Sequence, residues 1–172
     1  MAEKITQGDL FYHAVHGLCR VQDLTQEKRN GQQVKYCALV PAASNHMKVR
    51  FVIAIEDLQI SGFHSPISEK EAGSILDFLK AGPPDTKTFA YPENQETWTL
   101  AKSLLICCFD KPVGKDQRRR QLLLMSAKGL VCELAFVLRI STQEAVALIR
   151  KSLEKHCTVN PLVLNALACA AE

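Results

Sequence analysis

The hydrophobic period of this chain changes once, near residue 64, from two residues to about 3.6. Strands follow the first period and helices the second, so no single regular element accommodates both halves. The pattern predicts an α+β protein: a small antiparallel β-barrel or half-barrel over residues 1–64, followed by a helical bundle over residues 65–172. In the first half, Leu10 to Val15 is aromatic and β-branched, and His16-Gly17 turns the chain into a run from Leu18 to Leu24. Asn30-Gly31 is a hairpin signal, because both central residues of such a turn favour positive φ. Val34 to Val40 returns, Pro41 to Asn45 is a loop, and Met47 to Ile55 forms the next strand, with a short last strand near Leu58 to Ile60.

Past Phe63-His64-Ser65-Pro66, Ser68-x-x-Glu71 is a capping box that opens a helix with Ala72, Ile75, Leu76 and Leu79 on one face. Gly82-Pro83-Pro84 ends it. A second helix spans Gln95 to Phe109, and a third runs from about Asp116 to Leu138. Ser141-x-x-Glu144 is a second capping box, starting a helix that reaches about His156. Asn160-Pro161 sets an N-cap before a proline at the first helical position of a short terminal helix.

A chain of 172 residues, 47% of them hydrophobic, buries enough surface to fold without a disulfide or metal. Its net charge is only +3, which excludes a nucleic-acid coat protein or a polybasic anchor. The start has no apolar leader, and Lys128 and Glu133 interrupt the most apolar run, Leu122 to Leu138, so that run reads as a buried helix; the expected location is the cytoplasm, with no membrane contact.

Seven cysteines, none in a C-x-x-C pair, read as reduced thiols packed as small hydrophobes. His13, His16 and Cys19 form the most metal-like cluster, but on a strand His16 faces away from the other two. His156-Cys157 has no orienting carboxylate, and neither a phosphate loop nor a serine elbow is present. The expectation is a protein that is not an enzyme, with no metal and no cofactor. Lys115-Asp116-Gln117-Arg118-Arg119-Arg120 is either a solvated first helical turn or a phosphate-contacting patch.

Several of these residues together resemble the CarD/CdnL family of bacterial RNA polymerase-binding transcription regulators. They are Gly8-Asp9-Leu10-Phe11-Tyr12 with His16-Gly17, the hairpin Asn30-Gly31, Tyr36, and the run Met47-Lys48-Val49-Arg50-Phe51-Val52. Leu76-x-x-Leu79-Lys80 before Gly82-Pro83 is similar to the family's first helix and its exit, and Glu96-Thr97-Trp98 to its tryptophan segment. The resemblance implies a Tudor-like (SH3-like) β domain that binds the polymerase β-subunit through an exposed strand, here Lys48, Val49, Arg50 and Phe51. It also implies a helical half that touches promoter DNA non-specifically through the minor groove, at the upstream edge of the bubble. Trp98 and Lys102 stand at the family's DNA-contacting place, and Lys115, Arg118, Arg119 and Arg120 are further candidate cations. The implied function is a non-catalytic regulator that stabilises the promoter open complex, a monomer held on the nucleoid through polymerase. Three features depart from the family pattern: Thr99-Leu100-Ala101 replaces basic residues after the tryptophan, the chain between Gly114 and the long helix is shorter than the family's by about one helix, and Glu27 stands near a basic hairpin position.

Other readings of the same residues stay open. Arg50 is also an ordinary edge-strand charge that blocks aggregation, and Trp98 a half-buried core residue on Leu105 or Leu79. Glu133-Leu134-Ala135 through Ser141 to Ala145-Val146 resembles a helix-turn-helix, the pattern of a sequence-specific DNA binder, with Arg139 where a turn glycine is customary. A third class is a barrel that binds a peptide and has no role on DNA.

Overall fold

Alternating side chains at the start of the chain build a four-stranded antiparallel sheet in the order β1-β2-β3-β4: β1 Leu10–His13, β2 Gly17–Arg29, β3 Gln32–Pro41 and β4 Phe51–Ala54. Among the described residues five helices follow: α1 Glu69–Ala81, α2 Glu96–Phe109, α3 Gln117–Leu138, α4 Thr142–Leu153 and α5 Pro161–Ala170. The protein is therefore α+β. This computed structural model describes residues 5–29, 31–42, 49–82, 96–109, 116–155 and 159–171. Its contacts divide the chain into two units, Met1–Pro66 and Ile67–Glu172.

Gly31 takes φ +83° between Arg29 and Gln32, so the β2–β3 hairpin closes through a two-residue loop. Asn30, the other half of that signal, lies outside the described residues. The sheet's inner face packs Phe11, Cys19, Val21, Cys37 and Leu39 against Leu58 and Phe63. Each fully buried aliphatic or aromatic side chain contributes about 1.5–3 kcal/mol. Opposite β3, β2 carries one extra residue: Val21 pairs with Leu39 but Asp23 with Ala38, leaving Gln22 as a bulge.

The expected strand near Leu58 to Ile60 is a 3-10 helix, Ile55–Asp57, followed by turns through Gly62. Leu58 and Phe63 must both reach the inner face, and tight bonds such as Ser61 N–H to the Asp57 carbonyl coil the chain enough to bring them there. Ile60 is left 87% exposed at the surface. The chain rejoins the sheet at His64, which exchanges backbone hydrogen bonds with Tyr12 at 2.7 and 3.0 Å. β1 and β4 do not pair with each other, so the sheet is open.

In the helical unit the predicted caps form. Ser68 and Glu71 make a reciprocal capping box on α1, as do Ser141 and Glu144 on α4. Asp116 caps α3 and Asn160 caps α5, with Pro161 in the first turn. Along α1 the buried residues are Ala72, Ile75, Phe78 and Leu79, whereas Leu76 is only partly covered. α3 is the one described helix long and apolar enough to cross a membrane, yet half of that stretch is buried within the protein. It packs on each of the other four helices. α3 ends at Arg139 in the left-handed region (φ 55°, ψ 42°), and Ile140 N–H returns to the Ala135 carbonyl at 3.0 Å.

Candidate functional site

β4 is four residues long and sits at the end of the sheet, hydrogen-bonded to β3 alone among the described strands. A terminal strand presents backbone N–H and C=O groups that a second chain can complete. Arg50 and Val49 lie exposed just before it. Within β4, Phe51 turns toward the inner face and packs on Phe63 with centroids 5.6 Å apart, while Val52 is 60% exposed on the other face. Arg50 reaches Asp23 at 3.6 Å, with both side chains about half exposed. In such a setting a pair contributes at most about 1 kcal/mol, so it orients Arg50 more than it stabilises the sheet. Of the four polymerase-strand candidates, Val49 and Arg50 are thus outward and accessible, and Phe51 belongs to the core face. Lys48 lies outside the described residues.

Beside Phe51, three more rings gather on the turns that bound the sheet. His13 stacks on His16 at 4.6 Å and tilts against Phe63 at 4.7 Å, and His16 meets Phe51 at 4.5 Å. His13 Nδ1 accepts hydrogen bonds from the N–H groups of Val15 and His16, at 3.0 and 3.3 Å, which closes the β1–β2 turn. That nitrogen is therefore unprotonated and engaged. Burial lowers the His13 pKa, as does the neighbouring His16 and, less, His64; a hydrogen bond to the Ser61 backbone opposes them. Cys19 and Cys37 are buried, and burial raises both thiol pKa values, so they remain protonated hydrophobes. Among the described residues no group of three or more His, Cys, Asp or Glu could hold a metal ion.

In the helical unit Trp98 occupies the first turn of α2, half-buried, with its ring edge-on to Phe78 of α1 at 5.7 Å. Lys102 follows one turn later on the same side of α2, exposed. Just before Trp98, Thr97 is fully buried and donates through Oγ1 to Glu133 Oε2 at 2.7 Å. Glu133 Oε1 also accepts the Ile67 N–H at 3.2 Å. This one carboxylate, fully buried on α3, ties the chain entering α1 and the start of α2 to the middle of the unit. The buried polar centre was missed in the sequence, although a glutamate inside an apolar helix is the signal that marks it.

Arg118, Arg119 and Arg120 are exposed in the first turn of α3, where Asp116 accepts the Arg118 N–H at 2.9 Å and pairs with the Arg119 side chain at 3.7 Å. Arg119 precedes Glu133, the neighbour of Thr97, by about four helical turns, roughly 20 Å along α3. The DNA candidates accordingly fall in two places, Trp98 with Lys102 in one and the three arginines in the other. Lys115 lies outside the described residues.

No protein-family model matches the chain, and no curated protein matches it in sequence.

Proposed function

We propose that this protein is a non-catalytic transcription regulator that binds the β-subunit of bacterial RNA polymerase and stabilises the promoter open complex. The observation that carries the reading is the terminal strand β4, with Arg50 exposed at its entry and Val52 exposed along it. Strand addition gives affinity through main-chain hydrogen bonds, and flanking side chains select the partner. In this reading the sheet with its 3-10 corner is a Tudor-like half-barrel and the five helices form a bundle. The motif resemblance to the CarD/CdnL family supplies the partner. On DNA, Trp98 and Lys102 serve at the upstream edge of the bubble, where an inserted ring unstacks bases at a cost of a few kcal/mol and so favours distorted over straight duplex. The protein acts as a monomer in the cytoplasm, held on the nucleoid through polymerase.

The test is binding of the full-length chain to purified bacterial RNA polymerase, followed by open-complex lifetime on a promoter fragment. Arg50→Glu is expected to weaken polymerase binding roughly tenfold, about 1.4 kcal/mol. Trp98→Ala is expected to shorten the open-complex lifetime at unchanged polymerase affinity, and Trp98→Phe, which keeps a ring against Phe78, separates that effect from lost stability. No association at micromolar protein overturns the proposal.

A second reading is favoured by one feature. Arg139 adopts the left-handed conformation that the turn of a helix-turn-helix requires, with Ala135 and Ala145 buried on either side of it. On that reading α4 reads base edges, and selection from random duplex DNA returns a defined motif. An unbiased pool after selection rejects it.

A further inference from the structure

β3 is ten residues long, but β4 pairs with only four of them, Tyr36 to Leu39. After Ala54 the chain leaves the sheet for the 3-10 helix. Gln32 to Lys35 are therefore bonded to β2 on one side and face no described strand on the other. The step in the sheet opens onto a cleft of about 490 Å³. Val34, Tyr36 and Val52 supply apolar surface, Glu56 and Asp57 of the 3-10 helix line it as carboxylates, and Arg29 lines it from the hairpin. Arg29 Nη1 lies 3.4 Å from the Tyr36 hydroxyl.

We propose that this cleft docks an extended segment of a partner protein, lying alongside β3 in line with β4 and placing a lysine or arginine against Glu56 and Asp57. Three observations select that occupant. A free strand edge needs backbone N–H and C=O groups in extended register, which a peptide supplies and a nucleic acid does not. The apolar residues match alternate side chains of a strand. The two carboxylates outnumber the one guanidinium, so the cleft attracts a cation and repels phosphate. The site is distinct from the outer edge of β4 and does not rest on the polymerase reading.

The experiment uses the full-length ¹⁵N-labelled chain, titrated with the synthetic peptide Ac-Thr-Val-Lys-Val-Thr-NH₂ and with the same peptide carrying glutamate for lysine. Amide shifts are expected at residues 32–36 and 52–57 with the lysine peptide, and affinity at least about fivefold weaker for the glutamate peptide, the size of an exposed charge effect. The double variant Glu56→Lys, Asp57→Lys is expected to reverse that preference. If its spectrum shows a changed fold, the two peptides on the native chain still decide the matter. Absence of shifts at millimolar peptide, shifts located elsewhere, or equal affinity for the two peptides overturns the proposal. Arg50→Glu is expected to leave peptide binding intact while impairing polymerase binding, so failure of either reading is seen separately.

Discussion

At the scale of single residues, Glu133 has the most depending on it. Its two oxygens satisfy a hydroxyl and a backbone N–H that are both buried, so removing it strands two donors at once. Glu133→Ala is expected to cost about 3–5 kcal/mol of stability, read from urea unfolding, whereas Glu133→Gln, which keeps an acceptor for one donor, costs less. His13 makes a second, pH-dependent case. Its folded-state pKa lies below the ordinary 6.5, because burial and His16 disfavour the cation. The unfolded chain therefore takes up the proton first as pH falls. The contribution of His13 is fully present above about pH 6.5 and is lost as pH drops through that value toward the folded pKa. The groups facing it are His16, His64 and the Ser61 backbone. The urea midpoint is expected to fall between pH 7.5 and 5.5, and His13→Gln, which cannot take up a proton, is expected to flatten that slope. An unchanged slope in the variant rejects the assignment.

At the scale of elements, the α3–α4 corner holds a non-glycine residue in the left-handed region, a conformation that costs a side chain roughly 1–2 kcal/mol. Arg139→Gly is expected to raise stability by up to about 1 kcal/mol, measured as a higher thermal midpoint. The corner also shows what local sequence conveys. Ser141 and Glu144 announce the start of α4 because a capping box acts within four residues, and Ser68 with Glu71 does the same for α1. Leu58 and Ile60 alternate as a strand would, yet their burial is decided by Phe63 and the inner face of a sheet assembled from residues up to fifty positions away. The accessibility of Arg50 follows from its place at the end of the sheet and was legible as an edge-strand charge. The packing of Trp98 was not, since its partner Phe78 sits on another helix and twenty residues back. The cleft beside β3 was invisible for a related reason: it exists because β4 stops at Ala54, and strand length is set by tertiary contacts rather than by propensity.

At the scale of the molecule, each unit carries its own buried core, Cys19, Val21, Cys37 and Leu39 in the first and Ile75, Leu104, Leu130, Leu134 and Ile149 in the second. Residues 1–66 expressed alone are expected to unfold cooperatively in urea, which a chain lacking its own core cannot do. A featureless, non-cooperative response rejects that expectation. The pleat of β2 adds a consequence of its own. Ahead of Gln22 the odd-numbered side chains Cys19 and Val21 point inward; beyond it Asp23 is outward, where it meets Arg50. Gln22 acts on this strand as a single inserted letter acts on a reading frame. Deleting it would remove the bulge yet keep Val21 opposite Leu39 and Asp23 opposite Ala38, so every side chain from Asp23 to the hairpin would stay on its present face in unbroken alternation.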